Sequence, residues 1–90
     1  MRIHQLEVLV AVVDSETMSE AAASVNLSTS AVSLQMKRLA LELKTELFVR
    51  FGRTLLPTPA CIRLADQARI LIARFNAIER EFGSRKGKRV

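Results

Sequence analysis

Apolar residues along the first eighty positions fall into helical repeats broken once by a short alternating stretch. Ile3, Leu6, Leu9, Val10 and Val13 share one helical face. The β-branched run from Val8 to Val13 would also suit a strand. Alternation fails, however, at Leu9-Val10 and Val12-Val13, and the repeat lasts more than about three turns, so 3–14 is predicted to be helical. Asp14-Ser-Glu-Thr17 reads as a polar connection. A second, short helix is expected from an N-cap at Ser19, with Ala21, Ala22 and Val25 at helical spacing and small enough for close packing. Asn26 tolerates the left-handed backbone that stops a helix, and Leu27 is placed to plug the gap to the next one. Ser28-Thr29-Ser30 restarts the helix, and Val32, Met36, Leu39 and Leu43 follow at spacings of 4, 3 and 4 as a buried stripe.

After Leu43 the texture changes. Lys44-Thr-Glu-Leu-Phe-Val-Arg50 and Thr54-Leu-Leu56 flank Phe51-Gly-Arg53, which predicts a small β-hairpin with Arg50 and Arg53 beside its tip. In Pro57-Thr-Pro59, Thr58 suits an N-cap and Pro59 a first helical position, where a missing N–H costs nothing. Cys61, Leu64, Ala68, Leu71, Phe75, Ile78 and Phe82 then repeat at spacings of 3 and 4, a heptad seam on a helix of about 35 Å. Such a helix is long for so small a domain to bury, and a second copy of the chain is the expected partner. Ile62, Leu64, Ala65, Ile70 and Ile72 widen the apolar face beyond a strict seam, which keeps open a helix lying along its own domain. Gly83-Ser-Arg-Lys-Gly-Lys-Arg89 ends the helix in a basic tail.

The chemistry concentrates on the helix that starts at Thr29. Thr29, Ser30, Ser33, Leu34, Lys37, Arg38 and Leu41 lie off its apolar stripe. Short hydroxyls at a helix N-terminus followed by cations suit insertion into a DNA major groove, with N–H groups and hydroxyls meeting phosphates and base edges. Leu34 would meet thymine methyls or nothing. An arginine on a hairpin tip suits the neighbouring minor groove, which favours Arg53, while Arg50 has Glu42 and Glu46 as alternative partners. The plain reading of the same residues is a solvated basic helix and loop.

Charge supports the first reading. The net charge of +5 on 90 residues is unevenly spread. Residues 1–32 carry one cation and four anions, residues 33–56 five and two, residues 57–82 four and three, and residues 83–90 four and none. Positive charge therefore begins at the proposed recognition helix. With four Phe and neither Trp nor Tyr, the stacking platform that single-stranded nucleic acid needs is missing, and duplex fits better. At 49% hydrophobic residues there is enough apolar material for one small core. One cysteine permits no internal disulfide, and no Cys/His set has zinc spacing. His4 stands alone, as a helix-start residue. No nucleophile and base arrangement suggests an enzyme, and no segment reads as a signal peptide or membrane span, so a soluble cytoplasmic protein is expected.

Helix, helix-turn-helix, wing and long helix in this order resemble the N-terminal DNA-binding domain of LysR-type transcriptional regulators. The local patterns are Gln5-Leu6 with Val10-Ala-Val12, Ala21-Ala22, Leu27-Ser28 through Ala31-Val-Ser33 with Gln35, Leu47-Phe-Val-Arg50, and Leu56 with Thr58 and Ala60. The resemblance covers residues 1–82. It implies a mainly α winged helix-turn-helix that binds inverted-repeat promoter DNA as dimers or paired dimers. The domain plan is then 1–58 for DNA binding, 59–82 for a dimerisation helix, and 83–90 as a basic tail or the start of a tether. Lys88-Arg-Val90 resembles the opening of the first strand of the family's effector domain, where a small-molecule effector would bind; no cofactor is expected in this chain. The departures are Thr29 and Ser30 in place of Gln and Pro, Leu34 in place of a basic residue, and Lys44 and Cys61 in place of glycine. Glutamine readout at position 29 therefore does not carry over. Thr29, Ser30, Ser33, Leu34 and Lys37 are assigned to base edges or adjacent phosphates, Ser19, Gln35 and Arg38 to the backbone, Arg50 and Arg53 to the wing, and Cys61, Leu64, Ala68, Leu71, Phe75, Ile78 and Phe82 to the dimer. The competing function is an interaction module whose heptad helix pairs with a full-length regulator.

Overall fold

The computed structural model describes residues 1–83; of the expected basic tail and tether, only Gly83 falls within that range. The chain runs α1 (Ile3–Asp14), α2 (Met18–Ser24), α3 (Thr29–Leu43), β1 (Phe48–Phe51), β2 (Thr54–Pro57) and α4 (Pro59–Glu81). Four helices and one antiparallel hairpin make a winged helix-turn-helix, the mainly α class expected.

The α1 helix touches α2, α3 and α4, so apolar residues on more than one of its faces find cover. Val8 is fully buried beside Leu6 and Leu9, although it lies off the face that periodicity picks out, while Val10, Val12 and Val13 are partly covered. An element packed between neighbours needs a wider apolar surface than a single stripe supplies. Around it Ala22, Val32, Met36, Leu39, Leu47, Cys61 and Ala65 close the core.

The bend between α2 and α3 is local chemistry. Asn26 takes φ 58°, the Leu27 N–H donates to the Ala22 carbonyl at 2.9 Å, and the Asn26 N–H donates to Ala23 at 3.2 Å. These two bonds form a Schellman cap around a left-handed residue. The same device ends α3. Lys44 has φ 51° and the Thr45 N–H reaches the Ala40 carbonyl at 3.0 Å.

Thr58 ties the wing to α4. Its hydroxyl donates to the Glu46 carbonyl at 2.7 Å and accepts from the Cys61 N–H at 3.1 Å, capping α4 ahead of Pro59. The first part of α4 is thereby part of the winged domain. Cys61, Ala65 and Ala68 are buried within the chain, and burial pushes the Cys61 thiol up to about 11. At 100° per residue these three share one stripe, whereas Leu64, Leu71, Phe75, Ile78 and Phe82 share another about a fifth of a turn round the helix. The single seam expected from spacing is thus two. Cys61 and Ala68 are already covered within the protomer and offer no surface to a second copy. Leu71, Phe75, Ile78 and Phe82 remain 52%, 40%, 60% and 58% exposed.

Candidate nucleic-acid interface

The α3 helix is set at its N-terminus by Ser28, whose hydroxyl accepts from the Ala31 N–H at 3.1 Å. Val32, Met36 and Leu39 hold it to the core. Thr29, Ser30, Leu34, Lys37, Arg38 and Leu41 stand exposed, Ser33 is partly so, and Leu34 points into open space with 48% of its surface free. These are the residues assigned from sequence, and they lie along one side of the helix.

The wing brings its arginines to that side. In the hairpin Phe51 pairs with Thr54 and Arg50 with Leu55, leaving Gly52 and Arg53 as a two-residue turn. Gly52 has φ 64° and Arg53 a negative φ, the pattern of a type II′ turn, in which the first position favours glycine. A Cβ at Gly52 would meet nothing, so the demand there is conformational and not spatial. Arg53 sits at the tip as expected. Arg50 is on a strand, and no ion pair with Glu42 or Glu46 forms among the described residues. Glu42 instead accepts the Met1 ammonium at 2.6 Å, a contact that lowers its pKa from the usual carboxylate value.

Between wing and α3 lies an open cleft of about 620 Å³ whose walls include Thr29, Ser30, Ser33, Arg50 and Arg53. Hydroxyls at a helix N-terminus and two guanidinium-bearing residues thus face one channel, a combination suited to a phosphate backbone crossing from one groove to the next. Glu16 and Thr17 complete its near edge.

Thr17 is a residue that reading the sequence missed. It, and not Ser19, caps α2, accepting from the Glu20 N–H at 3.1 Å, while the Glu20 carboxylate accepts from the Glu16 N–H. Ser19 falls inside the first turn of a seven-residue helix and is exposed. The discriminating signal was present, since Thr17-Met-Ser-Glu20 has the spacing of a capping box. Gln35 lies apart from the wing cleft. It is half-buried with its Oε1 enclosed, and together with Arg38 it lines a different cleft under the N-terminus.

A family model for the bacterial regulatory helix-turn-helix protein, lysR family, matches residues 3–62, two thirds of the chain. The chain belongs to the lysR family. That family is one of DNA-binding transcription regulators and not of enzymes. Solved structures agree on the fold of this lysR-family chain. A complex of the CbnR DNA-binding domain with DNA superposes with a TM-score of 0.78 at 26% identity, covering 96% of this chain and 100% of that one. The BenM DNA-binding domain on benA site 1 DNA gives 0.83 at 24% identity, with 93% and 94% covered. Full-length OxyR from Pseudomonas aeruginosa gives 0.87 at 22% identity; the match covers 96% of this chain and 29% of that one. Among the described residues no helix is long and apolar enough to cross a membrane, and no three His, Cys, Asp or Glu residues cluster as metal ligands.

Proposed function

We propose that this lysR-family chain binds promoter duplex in a sequence-dependent way, with α3 in the major groove and the Arg53 turn in the adjoining minor groove, as a dimer on an inverted repeat. The observation that carries this reading is the cleft shared by Thr29, Ser30, Ser33, Arg50 and Arg53. Ser30, Ser33, Leu34 and Lys37 are assigned to base edges; Thr29, Arg38 and Arg50 to phosphates. Ser19 remains a candidate for the phosphate flank. One winged domain covers few base pairs, and two rigidly held copies add their contacts and impose a fixed half-site spacing. The exposed stripe Leu71, Phe75, Ile78 and Phe82 is assigned to that pairing, with Leu64 at its inner end. Small-molecule effector binding is assigned outside residues 1–83; full-length LysG from Corynebacterium glutamicum, solved with bound effector Arg, supports this, and this chain covers 29% of it.

Selection of bound duplexes from a random pool tests the reading. A pseudo-palindromic consensus whose affinity falls steeply with salt is expected. A chain that dimerises but shows no preference over competitor DNA would overturn it and leave α4 as a pairing module for a longer regulator.

A further inference from the structure

The α3 helix has two flanks, and only one faces the wing. Its core stripe is Val32, Met36 and Leu39, with Leu34 and Leu41 opposite. By 100° steps, Thr29 and Ser33 fall on one flank, and Gln35, Arg38 and Glu42 on or toward the other. The clefts bear this out. The wing cleft contains Thr29, Ser30 and Ser33, and a separate cleft of about 490 Å³ is lined by Met1, Arg2, His4, Gln5, Gln35, Arg38 and Glu42. Arg2 caps the start of α1, where its N–H donates to the Gln5 Oε1 at 2.8 Å and its side chain is exposed. Packing α1 against α3 therefore brings together two cations 36 positions apart in the chain.

Among the described residues neither guanidinium has an ion-pair partner. Glu42, one helical turn beyond Arg38 and its natural partner, is taken by the Met1 ammonium. Glu7 is approached by the His4 ring, at 3.4 Å, and no ion pair of Arg2 or Arg38 exists among the described residues. A major groove is about 12 Å wide and an α-helix nearly fills it, so a helix lying in it meets a row of phosphates on each flank. The wing cleft addresses one row.

Resting on the DNA-binding reading above, we infer that Arg2 and Arg38 form a second phosphate grip, holding the strand that bounds the major groove on the side away from the wing. Arg2 positions α3 and contributes affinity without base preference. The recognition helix is clamped from both sides, by residues that α1 and the wing carry independently.

The test uses the full chain and a fluorescein-labelled duplex of the selected consensus, titrated by anisotropy across salt concentrations. Arg2→Ala and Arg38→Ala should each lower the salt slope by about 0.9 per bound copy and weaken binding on the order of tenfold, with the preference for consensus over scrambled duplex unchanged. Arg2→Lys should restore most of the slope. Neutral methylphosphonates placed one at a time should weaken the wild type at positions on both strands. The positions across the groove from those sensitive to Arg53→Ala should become silent in Arg2→Ala. An unchanged slope in Arg2→Ala, or a loss confined to Arg38→Ala, overturns the paired grip while DNA binding stands. A wild type with no salt-dependent duplex binding overturns both.

Discussion

The two halves of α4 have the same apolar rhythm and opposite fates. In the first half Cys61, Ala65 and Ala68 disappear into the chain's own core; in the second Leu71, Phe75 and Ile78 are exposed. Residue size goes with the division. Small side chains, Cys61, Ala65 and Ala68, are the ones fully covered, and the larger Leu71, Phe75 and Ile78 are the ones left exposed. The molecule measures 53 Å along its long axis against 23 and 20 Å across, and an α4 of about 35 Å outruns the body that anchors it. A helix rooted in one domain and exposing an apolar stripe beyond it can pass the position of one DNA-reading surface to another as a rigid lever.

A charge placed in each half should separate the two roles, and the largest effect belongs to the rooted half. Ala65→Glu sets a carboxylate into a fully enclosed site beside Val8 and Leu9, at a cost of several kcal/mol, comparable with the whole stability of a domain this size. Loss of the far-UV helical signal at 25 °C is expected, and a cooperatively folded variant would show that α4 is not rooted as described. Leu71→Glu should do something different. It leaves the fold and its melting transition in place, turns dimer to monomer, and weakens binding to the full inverted repeat by about a hundredfold or more. Sedimentation beside operator titration decides this one, and a Leu71→Glu variant that remains dimeric removes the stripe from the interface.

Cys61 sharpens the contrast because it reports on the buried half alone. With its thiol raised to about 11 from an ordinary value near 9, the folded protein holds it neutral where the unfolded chain ionises. Stability from this group is complete below pH 9, and falls as pH rises between 9 and 11, by at most roughly 2–3 kcal/mol. Urea unfolding of the wild type should show that decline, and Cys61→Ala should flatten it. A thiol reagent should find Cys61 equally protected in the Leu71→Glu monomer. Reactivity released by dissociation would place Cys61 at the dimer contact after all.

These differences also mark what could be read from residues alone. Element order, the left-handed stop at Asn26, a cap within Ser28-Thr-Ser30, the cap at Thr58 and the arginine at the wing tip all follow from chemistry within a few positions, and all appear. The α4 seam did not survive as one surface, because spacings of 3 and 4 describe both stripes and only the packing of α1 says which is covered. Val8 shows the same limit, since periodicity finds one face and a helix with neighbours on several sides uses more. Arg2 was invisible as a companion of Arg38 for the same reason. Ser19 is another kind of miss. The hydroxyl two places earlier had the better claim, and Glu20 was the residue that could have decided it.

Lys44 offers a smaller effect, at the C-cap of α3 and outside both halves of α4. A lysine in the left-handed region pays roughly 1 kcal/mol that glycine does not, and φ 51° here is fixed by the cap that ends α3. Lys44→Gly should therefore raise the melting temperature by several degrees, the gain partly offset by the greater freedom of glycine in the unfolded chain. Dimerisation should not change. A lower melting temperature would mean that the ammonium makes a contact worth more than the strain.

The smallest effect is expected where the two halves meet. Arg69 follows Ala68, the last fully buried residue of α4, and its guanidinium donates to the Asp14 Oδ1 at the end of α1 at 2.8 Å. Asp14 sits at a helix C-terminus, where the dipole disfavours an anion, so the arginine offsets a local repulsion as well as bridging α1 to α4. Both side chains are well exposed, however, at 40% and 55%, and water and salt screen such pairs. Arg69→Ala should cost about 0.2–1 kcal/mol in low salt and less in 1 M salt. A double-mutant cycle with Asp14→Ala, read by urea unfolding, isolates the pair from the rest of each side chain. A larger loss of stability would make the pair a main anchor of the lever, and a loss of dimer without a loss of stability would extend the free half's interface back to residue 69.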